Sequence, residues 1–168
     1  MKHIDSVINM IDYIENSILK TIELAIQMVP DSEIDFTPRQ GLNTLKYLFY
    51  HVVNSPFIYL SGIGNELVSV EDFNKISFPF ESVTTFKELQ KYYDTFSDFL
   101  SQLKTSIKAN FLSQEIKYNL KSVDWGEWVL TGQRAIETAF EEMIHHRGQI
   151  YIYLRLLNIK PPLIYPYL

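Results

Sequence analysis

Between Phe86 and Ile107 the apolar residues Phe86, Leu89, Tyr93, Phe96, Leu100, Leu103 and Ile107 recur at a mean spacing of 3.5 residues. A stripe at that period keeps one face of a helix turned toward neighbouring helices over many turns. Such a rod can hide its stripe only against other amphipathic elements, and a bundle is the economical solution. Its start is written in Thr85-Phe86-Lys87-Glu88, a capping box in which a hydroxyl and a carboxylate satisfy orphan amides.

Three more segments carry helical periodicity. From Ile4 to Met28 the residues Ile4, Ile8, Ile11, Ile18, Ile22 and Ala25 share a face, and Pro30-Asp31 ends the run. A loop through Asp35 to Gly41 follows. Asn43 or Thr44 can cap the next helix, which carries Leu45, Leu48, Phe49, Val52, Val53, Phe57, Tyr59 and Leu60 and stops at Gly62 and Gly64. Pro56 lies inside it and removes one backbone donor, which predicts a kink or an opened turn. The last helix is expected from Gln133 to Leu157, with Asn158, Lys160, Pro161 and Pro162 ending it.

Between helices the period changes. Ile116, Tyr118 and Leu120 alternate with Lys117, Asn119 and Lys121, which predicts a short extended hairpin over Gln114–Val129 with Gly126 in its turn. Asn65 to Val83 reads as a connecting loop that can hold one short turn. The apolar tail Leu163–Leu168 is expected to dock on the body or on a partner. The fold expected is all-α, a four-helix bundle with a short extended segment before the last helix, in one domain over residues 1–168.

Composition excludes several function classes. The chain has no cysteine, so disulfides, thiolate ligands and a cysteine nucleophile are out, and any metal must be held by His, Asp, Glu or water. Net charge is −5 and the basic residues are scattered, which argues against nucleic acid as a partner. No run reaches the ~18 apolar residues of a membrane span. The N-terminus does not read as a secretory signal, so a cytoplasmic location is the expectation.

The residues suited to chemistry lie in Glu142-Met143-Ile144-His145-His146-Arg147-Gly148-Gln149. An α-helix turns about 100° per residue, so Glu142 and His146 share a face, as do Glu141 and His145. Measured from the stripe through Ile136, Ala139, Phe140, Met143, Ile150, Leu154 and Leu157, Glu142 and His146 can lean inward, whereas Glu141 and His145 lie on the far side. A carboxylate and an imidazole one turn apart can grip a divalent metal, and the same pair also serves as a solvated contact. The wheel does not settle where His51 faces. Arg147 lies near the stripe and calls for a carboxylate, with Glu23 or another acidic residue of the first helix as candidate, or for a wet edge in the fold. His3 has no assigned role, and Gln149 and Arg155 read as structural. Trp125 and Trp128 read as a cover for the bundle's end, the alternative being a pocket wall. Tyr47 and Tyr50 are the tyrosines nearest His51 in sequence.

Together, Glu142 to Gln149, Tyr153-Leu154-Arg155-Leu156-Leu157 and Pro161-Pro162 resemble the closing helix of the DinB/YfiT-like superfamily. Phe36-Thr37-Pro38, His51 and the order of elements extend the likeness over nearly the whole chain. The resemblance implies an up-and-down four-helix bundle, often a homodimer, housing a metal-dependent enzyme. It implies three histidine ligands, one from the second long helix and two, four residues apart, from the last. On this chain they map to His51 and His146, with Glu142 standing where the third histidine belongs. Either the site holds its metal with two histidines and a carboxylate, or binding has weakened or been lost. Two His plus Glu suits catalytic zinc, and iron, manganese or nickel according to geometry.

Two functions follow from the resemblance. One is transfer of a low-molecular-weight thiol to an electrophilic small molecule, or hydrolysis, at a His51/Glu142/His146 metal site. The other is a non-catalytic dimeric bundle of the stress response whose metal site has degenerated. The family name refers to induction by DNA damage and not to DNA contact.

Overall fold

The computed structural model describes residues 2–164, with only the backbone of Lys2 and His3, so the side chain of His3 and the tail from Tyr165 to Leu168 lie outside the described residues. The first rod is α1 (Lys2–Tyr13), a π-helical stretch over Ile14–Leu19, and α2 (Lys20–Gln27). The π stretch was not legible in the periodicity. It buries Glu15 beside Ile14, Ile18 and Leu19, and Lys104 and the Ser101 hydroxyl meet its carboxylate.

The second rod is α3 (Leu45–Ser61). Thr44 caps it, its hydroxyl accepting from the Tyr47 amide at 3.1 Å. The helix runs through Pro56 as one element. A three-residue strand β1 (Leu67–Ser69) leads into α4 (Val70–Ile76) where a loop was expected. The signal was present: Ser69 and Asp72 form a reciprocal capping box.

The third rod is α5 (Phe86–Ser106), and its box forms as read: the Glu88 carboxylate accepts from the Thr84 and Thr85 amides at 2.8 and 3.0 Å. A short α6 (Ala109–Ser113) precedes strands β2 (Glu115–Leu120) and β3 (Gly126–Thr131), and α7 (Gly132–Leu156) closes the bundle. α3 packs most extensively on α7, while α5 contacts α3 and both halves of the first rod. Leu45, Phe49, Val52, Leu89, Tyr93, Phe96, Met143 and Leu154 meet in the apolar core.

The chain is therefore mostly helical but not all-α. A three-stranded sheet, ordered β1-β2-β3, accompanies the bundle, with β1 parallel and β3 antiparallel to β2. The alternation foreseen in β2 holds, and Ile116, Tyr118 and Leu120 are buried. The turn lies earlier than expected. It uses residues 121–125 with Asp124 in the left-handed region (φ 61°), and Gly126 (φ 93°) already opens β3. Among the described residues no helix is long and apolar enough to cross a membrane. Leu163 and Ile164, the described part of the tail, are exposed.

Candidate metal centre

The α3/α7 contact decides the site. It places His51 opposite Glu142 and His146, and one ligating atom from each lies within 4.8 Å of the others. Glu142 Oε2 is 3.2 Å from His146 Nε2 and 3.9 Å from His51 Nε2. The two imidazole rings meet edge to face with centroids 4.6 Å apart. His146 is buried, and His51 and Glu142 keep partial access to solvent. Glu141 and His145 are exposed, as the wheel predicts, and Arg134 holds Glu141 through its two terminal guanidinium nitrogens at 2.9 and 3.0 Å.

The surrounding bonds orient these groups. His146 Nδ1 is 2.8 Å from Gln149 Oε1, so an Nδ1–H donates there and leaves the Nε2 lone pair facing Glu142. Gln149 Nε2 in turn donates to His145 Nε2 at 3.0 Å. His51 stacks on Tyr47 with centroids 5.2 Å apart, and its Nδ1 is 3.4 Å from the Tyr47 hydroxyl, leaving Nε2 toward the carboxylate. Ser55 donates to Glu142 Oε2 at 3.2 Å. Both ring nitrogens of His146 thus face oxygen acceptors, and a neutral imidazole can donate to only one. The Glu142 contact is favourable when the ring carries a second proton or when a cation lies between them. The donor set, two imidazoles and a carboxylate, fits a divalent metal.

Sequence reasoning passed over Ser55 and the bond that gives Gln149 its role. The signal for Ser55 was its position one turn after His51; for Gln149, one turn after His146. Trp125 and Trp128 wall a cavity as well as cover the sheet: Trp128 stacks on Tyr118 at 5.2 Å, and Trp125 tilts against His51 at 5.8 Å. The Arg147–Glu23 ion pair is not found among the described residues. Glu23 pairs with Lys20 at 2.9 Å, and Arg147, buried, reaches the Thr21 hydroxyl at 3.5 Å.

Burial pushes the His51 pKa down to about 4, helped by the facing His146, while Glu142 opposes the shift. The His146 hydrogen bond holds the Glu142 pKa below the ordinary carboxylate value, against its desolvation. Both folded-state values lie under the unfolded ones, so the unfolded chain takes up more protons as the medium acidifies. Without metal, stability is expected to fall as pH drops from 6.5 toward 4, the His51 window. Thermal midpoints in chelator should decline over that range and decline less in His51→Asn; identical curves would refute the assignment.

Three of the matching solved structures are bacterial proteins of this fold. A DinB-like protein from Bacillus subtilis is 16% identical with a TM-score of 0.69, over 93% of this chain and 96% of that one. A DinB-like protein from Bacillus cereus is 18% identical with a TM-score of 0.66, over 88% and 90%. YfiT from Bacillus subtilis, a probable metal-dependent hydrolase with an unusual four-helix bundle topology, is 12% identical with a TM-score of 0.66, over 95% and 90%. At these identities the likeness speaks for the fold. No curated protein matches the chain. The family's own model, by contrast, matches residues 5–168, and with the helical order and the helix-borne histidines already in place, the chain belongs to the DinB family.

Proposed function

We propose that this protein is a metal-dependent enzyme whose His51, Glu142 and His146 hold one divalent cation. The observation that carries the reading is the meeting of three ligating atoms, from two helices, within 4.8 Å. A bound zinc, nickel, manganese or iron would acidify a water or thiol placed in an open position. The chain's own residues do the rest. Gln149 and Tyr47 orient the two imidazoles, Ser55 steadies the carboxylate, and Trp125 shields His51 on one side. Glu142 adds a negative charge that a third imidazole would not, so the acidification is milder than at a three-histidine site. Such a centre can serve either hydrolysis or transfer of a small thiol to an electrophile. The YfiT likeness lends weight to hydrolysis, and the absence of cysteine suits a thiol brought as cosubstrate.

A second reading has its own support. Glu142 already has Ser55 and His146 as partners, so the cluster can persist as a metal-free polar network in a binding protein. Elemental analysis of untagged protein separates the two. The enzyme reading expects about one equivalent of metal per chain and a raised thermal midpoint on adding zinc or nickel. Metal-free protein that neither metal stabilises supports the second reading.

A homodimer is supported by exposed Ile144, Ile152 and Leu156, which follow one another along α7 with Gly148 between them.

A further inference from the structure

Beside the triad lies a cavity of about 290 Å³, walled by Tyr59, Trp125, Trp128, Leu130, Arg134 and Thr138. Two of its walls continue the helices that carry the triad. Tyr59 stands one turn beyond Ser55 on α3, and Thr138 one turn before Glu142 on α7. Trp125 belongs to both places, since its ring also leans on His51. The Glu142 charge reaches the Tyr59 phenol, second only to burial in raising its pKa. Another hollow of about 280 Å³, between Ile26, Val29, Phe86 and Gln90, includes none of these residues.

The wall chemistry selects the occupant. Tyr59, Trp125, Trp128 and Leu130 offer ring faces and aliphatic surface, which favour a flat apolar body. The one formal charge in the wall, Arg134, is neutralised by Glu141 at 2.9 and 3.0 Å and by Glu137 at 3.3 Å. An anionic ligand would have to compete with two carboxylates already in place and approach Glu142. Neutral polar groups belong to the same wall, the Thr138 and Tyr59 hydroxyls. The volume lies just under the ~300 Å³ at which small-molecule pockets begin, which suits one or two rings.

We propose that this cavity seats an uncharged aromatic part of the substrate, leaving its reacting atoms in reach of His51, Glu142 and His146. Its catalytic use rests on the metal-site reading; the binding itself does not. Both tryptophans of the chain line the cavity, so intrinsic fluorescence reports its occupancy.

The test titrates the whole chain with 4-nitrobenzyl alcohol, a contact quencher, after chelation and again with one equivalent of zinc. Saturable quenching is expected in both states. Thr138→Leu, which fills the cavity from a helical position, should weaken it at least about tenfold while thermal midpoint and zinc uptake stay unchanged. Leu130→Phe fills it from β3 and replaces Thr138→Leu if that variant does not fold. 4-Nitrobenzoate should bind about tenfold more weakly than the alcohol. Quenching that does not saturate, that survives both filling variants, or that is equal for the benzoate overturns the proposal. Saturable quenching in a protein that takes up no zinc removes the metal reading and leaves the aromatic seat standing. Zinc uptake without quenching does the reverse.

Discussion

His51→Ala is expected to lose zinc that the unaltered chain retains through dialysis, with affinity down by more than 100-fold. Residues behind metal ligands typically cost about 10–100-fold when removed, and a direct ligand costs more. His51 is also the only contribution of α3 to the triad, so its loss leaves two donors from a single turn of α7. Metal binding should tie the two helices together. At free metal about 100 times the dissociation constant, that linkage adds about 2.7 kcal/mol. For a chain of this length it raises the thermal midpoint by roughly 5–10 °C, a gain His51→Ala should forfeit. Glu142→His, which installs the imidazole implied by the family resemblance, should keep zinc. Competition with a chromophoric chelator reads both variants. Equal zinc affinity in His51→Ala and the parent chain would show that the cation, if bound, sits elsewhere.

The second large effect comes from a glycine. A Cβ on Gly132 would stand 2.1 Å from the carbonyl oxygen of Phe111, a backbone atom with no rotamer to yield. The Gly132 amide meanwhile donates to the Gln114 carbonyl at 3.0 Å, fixing the start of α7 against the segment before β2. Gly132→Ala must therefore push α7 or break that bond. Overpacking of this kind costs about 1–3 kcal/mol, or roughly 2–12 °C in midpoint. Because α7 carries Glu142 and His146, zinc affinity should fall with it. Gly148 is the control on the same helix. Nothing lies within 4 Å of its added Cβ, so Gly148→Ala should be stabilising by about 0.5–1 kcal/mol. Denaturant unfolding of the two variants makes the comparison, and equal stabilities would contradict the close packing at Phe111.

The four rods were legible because each buries a stripe, and burial writes itself into the sequence as periodicity. The caps at Thr44 and Thr85 and the stops at Gly62 and Asn158 are local chemistry, readable within a turn. The π stretch at Ile14–Leu19 was not, since no residue type marks an i→i+5 turn and its apolar residues also read as ordinary helix. Nor was β1, whose three residues have no strand character except as partners of Lys117, Tyr118 and Asn119. The Trp125/Trp128 cavity depends in the same way on where the sheet meets α3 and α7.

Residue spacing by itself determined that Glu142 and His146 share a helical face, and that Glu141 and His145 do not share it with them, because both statements concern a single helix turning 100° per residue. The place of His51 could come only from the tertiary structure. Its own helix is apolar around much of its circumference, so no local pattern says which way the ring points. The packing of α3 on α7 turns it toward a carboxylate 91 positions away in the chain, and burial beside His146 then sets its proton affinity.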